Sequence, residues 1–86
     1  MKNLLDLRGK IDKIDYEILV LLRKRFETAK QINSHKKING LGVIDKKREK
    51  EVLIKIKEES KKLGINTGFA RKLFEQAIKQ SRKVQR

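Results

Sequence analysis

The sequence has no cysteine and no proline. Without cysteine there are no disulfides and no thiolate-held metals. Without proline the commonest helix breaker is missing, so long helices face no stop of that kind. There is no tryptophan, and the aromatics are only Tyr16, Phe26, Phe69 and Phe74. That is a thin supply for the stacking platforms that hold single-stranded nucleic acid. A single His35 cannot build a metal site. The longest apolar run covers residues 18–22, far short of the roughly 20 residues that span a bilayer. Asp6 and Arg8 interrupt the beginning of the chain, which is unlike a secretory signal. The expectation is a cytoplasmic protein with no membrane partner and no metal.

Acidic residues are also scarce. Eleven Asp and Glu face 24 Lys and Arg, for a net charge of +13. A solvated, lysine-rich surface accounts for much of this, and an anionic partner could account for the rest. Charge count alone leaves nucleic acid, an acidic membrane and a small polyanion open, so position has to discriminate. The 86 residues suffice for one domain, here residues 1–86, without covalent staples.

Apolar periodicity gives an all-α chain. Ile11, Ile14, Ile18, Leu21, Leu22, Ala29 and Ile32 recur at spacings of three and four, the mark of one helix face. The spacing predicts one very long helix, roughly Leu4 to Ile38, capped by Asn3 or Asp6 and stopped at Asn39-Gly40. Such a helix is a rod about 52 Å long, whereas a compact chain of this size has a radius of gyration near 12 Å. The rod must protrude from its own fold. Its stripe stays apolar nearly end to end, so an intertwined homodimer is expected to cover it. A short loop over Gly40–Ile44 leads to a second helix, capped by Asp45 and running to Leu63. Gly64 then reads as a stop, and Ile65 as the apolar contact that follows such a cap. Asn66 or Thr67 caps a third helix over about Gly68–Gln85, with Ala70, Leu73, Phe74, Ala77 and Ile78 inward.

Polar residues interrupt these inward faces. Arg25 lies within about 20° of Ile14, Ile18 and Ile32 on the helical wheel, Lys36 lies within about 20° of Arg25, and Arg8 sits at the stripe's edge. The second helix places Asp45, Arg48 and Glu49 at its start. The third places Ser81 and Gln85 at its end. Singly, each reads as a structural pair or a side chain reaching solvent, and Glu49 could neutralise Arg25 or Lys36. Together the inward cations outnumber the inward acids. A pocket with excess cation, a hydroxyl, an amide and one or two acids suits a small multivalent anion that also bears a hydroxyl. Arg8 and Arg25 are about 25 Å apart along the helix. If both serve one site, Arg8 must come from the partner chain.

These residues, taken in order, resemble the all-α class of chorismate mutases. The resemblance runs through Leu7-Arg8, Ile11-Asp12, Ile14-Asp15, Ile18-Leu19, Leu21-Leu22, Arg25, Ala29 and Lys36. It continues through Val43, Asp45, Arg48-Glu49, Val52-Leu53, Leu73-Phe74, Ile78, Ser81-Arg82 and Gln85. It implies an intertwined dimer of three-helix chains that rearranges chorismate to prephenate, on the way to phenylalanine and tyrosine. By the same resemblance, Arg25 and the partner's Arg8 would grip the two carboxylates. Lys36 would contact a carboxylate and the ether oxygen, with Gln85 as second donor to that oxygen. Glu49 would receive the ring hydroxyl beside the Asp45 backbone, Arg48 would form a wall near it, and Ser81 would donate to a carboxylate. No cofactor is implied: a pericyclic rearrangement needs no nucleophile or general base, and the chain offers no strong candidate for either.

Other readings remain open on sequence. Isochorismate-pyruvate lyase and aminodeoxychorismate mutase share the fold and need a similar pocket. A basic helical nucleic-acid-binding module is the reading from another class, and a non-catalytic relative is a further one. The start of the third helix departs from the family, with Ile65-Asn66-Thr67-Gly68 where relatives often have Asp-Pro. Gly68 there is expected to loosen the first turn.

Overall fold

The computed structural model describes residues 3–38 and 45–84, with the side chains of 37, 38 and 84 outside the description. The expected stop at Asn39-Gly40, the Gly40–Ile44 loop and Gln85 lie outside the described residues. Three helices follow in order: α1 (Leu4–Ile38), α2 (Lys46–Lys62) and α3 (Thr67–Val84). They carry nearly all of the described residues, so the chain is all-α.

Each helix start is fixed by a side chain. Asn3 Oδ1 accepts from the Asp6 amide at 2.9 Å, so Asn3 rather than Asp6 caps α1. Asp45 Oδ1 accepts from the Arg48 amide at 3.0 Å at the head of α2. Asn66 Oδ1 accepts from the Phe69 amide at 2.9 Å, so Asn66 rather than Thr67 caps α3. A Cβ at Gly68 would stand 3.3 Å from that same Asn66 oxygen. Glycine in this first turn therefore leaves room for the cap, in addition to its cost in helix propensity.

The end of α2 is a left-handed glycine stop. Ile65 N–H donates to Ser60 O and Gly64 N–H donates to Lys61 O, while Gly64 takes φ 71°. This pairing satisfies two of the orphan carbonyls at the end of the helix. Nothing crowds a Cβ at Gly64, so the cost of a side chain there is purely conformational. Gly64→Ala is expected to destabilise the fold by about 1 kcal/mol. Thermal unfolding should then fall by about 4–8 °C, and a shift under about 1 °C would contradict the left-handed cap.

α3 is the central element. It packs against both α1 and α2, whereas among the described residues α1 and α2 keep their Cα atoms more than 8 Å apart. Small residues allow the close approach: Ala70, Ala77 and Ser81 share one face of α3 and are buried. Ser60 is also buried on α2, its hydroxyl donating to Lys57 O at 3.0 Å.

Little else is enclosed. Among the described residues no large side chain is fully buried, and every residue from 3 to 19 is exposed. Leu7, Ile11, Ile14 and Ile18, the first half of the α1 stripe, face solvent. The molecule measures 58 × 23 × 16 Å with a radius of gyration of 16.3 Å, well above the roughly 12 Å of a compact chain. The rod expected from the sequence is present and protrudes. No helix among the described residues is long and apolar enough to cross a membrane.

Candidate active site

The gap between α1 and α2, floored by α3, is a cavity of about 510 Å³. That is the size of a small-molecule site. α1 supplies one wall through Leu21, Arg25, Ala29, Ile32 and Lys36, all on its apolar stripe. The first turn of α2 supplies Asp45, Arg48 and Glu49, and α3 supplies Ile78, Ser81 and Arg82. The helical period is what aligns them: Arg25 and Lys36 are three turns apart on one face.

The Arg25 guanidinium is held from two sides. Its Nη1 donates to Ser81 Oγ at 2.9 Å, and its Cζ stands 5.9 Å from the centre of the Phe74 ring. Ser81 Oγ in turn donates to Ala77 O at 2.9 Å. The cation is thus aimed by a hydroxyl and an aromatic face, with no carboxylate on it among the described bonds. Burial lowers Arg25 from its ordinary value, yet a guanidinium stays charged at neutral pH. A partly desolvated cation without an acid is chemically suited to an external anion.

Glu49 is engaged differently from the sequence expectation. It pairs with neither Arg25 nor Lys36. Arg82 Nε donates to Glu49 Oε2 at 2.9 Å and Arg82 Nη2 donates to Oε1, a two-pronged bond between α2 and α3. The Glu49 hydrogen bonds, and then its charge, hold the Arg82 guanidinium above its ordinary value against the opposing effect of burial. Asp45 uses its carboxylate to cap α2. Arg48 lies at the rim, two-thirds exposed and 3.6 Å from Glu51, where an ion pair adds little. Among the described lining residues, five cations (Lys24, Arg25, Lys36, Arg48, Arg82) face two acids, Asp45 and Glu49. The excess is positive.

Of the residues singled out from the sequence, six meet at this cavity: Arg25, Lys36, Asp45, Arg48, Glu49 and Ser81. Arg8 does not. It is exposed on the protruding half of α1, about 25 Å along the axis from Arg25. Gln85 lies outside the described residues. Sequence reasoning missed Arg82 and the buried Asn33, which also line the cavity. The signal for both was weak: Arg82 follows Ile78 by four but at the edge of the inward face, and Asn33 follows Ala29 by four.

The sequence matches the chorismate mutase type II family over residues 7–86. It is 29% identical to a chorismate mutase of Methanocaldococcus jannaschii over 86 residues, covering all of this chain and 87% of that protein. It is 35% identical over 79 residues to a bifunctional chorismate mutase/prephenate dehydratase of Buchnera aphidicola, and 31% identical over 81 residues to a T-protein of Haemophilus influenzae. Those two alignments take in 92% and 94% of this chain but only 20% and 22% of the longer relatives.

Proposed function

The chain belongs to the chorismate mutase type II family, and we propose that its cavity converts chorismate to prephenate. The observation that carries this reading is the Arg25 guanidinium: partly buried, aimed by Ser81 and Phe74, and without an acid of its own among the described residues. Chorismate offers what such a site lacks, namely two carboxylates, an ether oxygen and a ring hydroxyl on one small frame.

The reaction breaks the ether C–O bond and forms a C–C bond within one molecule. No group leaves and no proton need move, so the protein's contribution is conformational and electrostatic. Gripping both carboxylates holds the flexible dianion in the folded, reactive conformer, which lowers the entropic part of the barrier. Arg25, aimed by Ser81, serves one carboxylate, and Arg8 of a second copy serves the other. Lys36 reaches a carboxylate and the ether oxygen, where negative charge grows as the C–O bond lengthens. A donor aimed there binds the transition state more tightly than the ground state. Gln85 is assigned as the second donor to that oxygen. Glu49 accepts from the ring hydroxyl, next to the head of α2 held by Asp45, with Arg48 at the rim.

A homodimer belongs to this reading. The exposed Leu7, Ile11, Ile14 and Ile18 form a stripe that a second α1 would cover, and the same docking would bring Arg8 to the neighbouring cavity.

The direct test is to incubate the purified protein with chorismate and follow loss of its absorbance as prephenate forms. Turnover is expected without added metal or cofactor. Turnover of isochorismate or of the amino analogue in place of chorismate would transfer the assignment to those reactions. Steeply salt-dependent binding of duplex DNA with no turnover at all would favour a nucleic-acid module.

A further inference from the structure

The Arg82 fork on Glu49 does more than join α2 to α3. Both side chains line the cavity, and both are largely covered, at 29% and 21% exposure. A carboxylate has about four lone-pair positions, and a two-pronged arginine occupies two of them. The acid can therefore still accept a further donor while its orientation is fixed by a planar partner. Its charge is cancelled at the same time.

We propose that Arg82 is a positioning and specificity residue: by fixing Glu49 and neutralising it, Arg82 makes this end of the pocket take a ring hydroxyl and reject a ring ammonium. The inference rests on the chorismate reading of the cavity and deepens it. A neutral hydroxyl needs only an acceptor. An ammonium needs net negative charge, and it would instead meet a neutral pair with the Arg82 guanidinium in contact and Arg48 at the rim. Like charges brought together reject the wrong ligand. Glu49 without Arg82 would have the opposite preference, because a lone carboxylate attracts the ammonium.

The test compares chorismate with its analogue carrying an amine in place of the ring hydroxyl. Arg82→Gln and Arg82→Met remove the charge, whereas Arg82→Lys keeps the charge and loses the planar fork. In either neutral variant that retains its helical circular dichroism, the ratio of kcat/KM for the hydroxyl over the amine substrate is expected to fall by about tenfold or more. Arg82→Lys should hold that ratio within about threefold while turning over both substrates more slowly. An unchanged ratio in a folded neutral variant overturns the proposal, since a mere tie between helices would lower both substrates together. The parent protein supplies a second reading that needs no variant: as a competitive inhibitor, the amine analogue should bind about tenfold or more weaker than chorismate. Equal affinity overturns the specificity role. Absence of chorismate turnover by the parent is a separate result, and it overturns the functional reading beneath the proposal.

Discussion

Lys36→Ala is expected to lower kcat for chorismate by about 10²–10³, with a smaller rise in KM. The size of the effect follows from where charge moves. In the ground state the two carboxylates carry the negative charge, and the pocket has several cations to meet them. As the C–O bond lengthens, charge accumulates on the ether oxygen. Only a donor aimed at that oxygen gains strength along the way, and such a donor acts on kcat. Lys36 is half-buried on the cavity face of α1, about 16 Å along the axis from Arg25. The long side chains of both residues can reach towards each other across that separation to meet one small dianion. Lys55→Ala, an exposed lysine away from the cavity, removes the same charge and should change kcat/KM by less than about twofold, because a screened surface charge contributes little. A Lys36→Ala enzyme within about tenfold of the parent and still helical would reject the role, because loss of one oxyanion donor costs more than that.

The fold was readable because each helix announces itself twice, in its apolar period and in its ends. α1 matches its expected span, α2 matches within a residue or so, and α3 starts within a residue of its expected start. Gly64 adopts the positive φ that its place after Lys61-Lys62 implied. What periodicity could not decide was which of two adjacent cap candidates is used. Asn3 over Asp6 and Asn66 over Thr67 depend on local backbone geometry.

The site was readable for a related reason. A polar residue inside an apolar stripe is conspicuous, and Arg25, Lys36, Glu49 and Ser81 all violate the pattern of their own helix. Partner choice was not readable. Arg82 sits at the border between the inward and outward faces of α3, so it does not break the pattern, and a lysine-rich chain offers many such arginines and lysines as background. Whether Glu49 bonds Arg25, Lys36 or Arg82 is set by how α3 lies between α1 and α2, a tertiary fact that helical wheels do not contain. The two-pronged Arg82–Glu49 bond also changes the charge count of the pocket: the acid is matched inside the protein, and Arg25 is left without a carboxylate among the described residues.

Mixing Arg8→Ala and Arg25→Ala chains, each expected to be nearly inactive alone, should restore about a quarter of the parent activity per site after full exchange. The figure comes from symmetry. Random exchange makes about half of all dimers mixed, and each mixed dimer has one site with both arginines intact and one with neither. A site built within one chain gives no recovery, because every site in the mixture would then lack one arginine. The structure supplies the geometric reason to expect the first outcome. Arg8 is exposed, absent from the cavity lining, and about 25 Å along α1 from Arg25, and a straight helix cannot fold back to close that distance. Around it, residues 3–19 are all exposed while carrying Leu7, Ile11, Ile14 and Ile18 on one face. Burying that face against a second α1 is favourable at roughly 25 cal/mol per Å² of apolar surface. The same contact would carry the end of each rod beyond its own α3 towards the other's cavity. Exchange must be verified by mass-labelled chains; verified exchange without recovered activity would reject a site shared between chains, and with it the reason for so long a first helix.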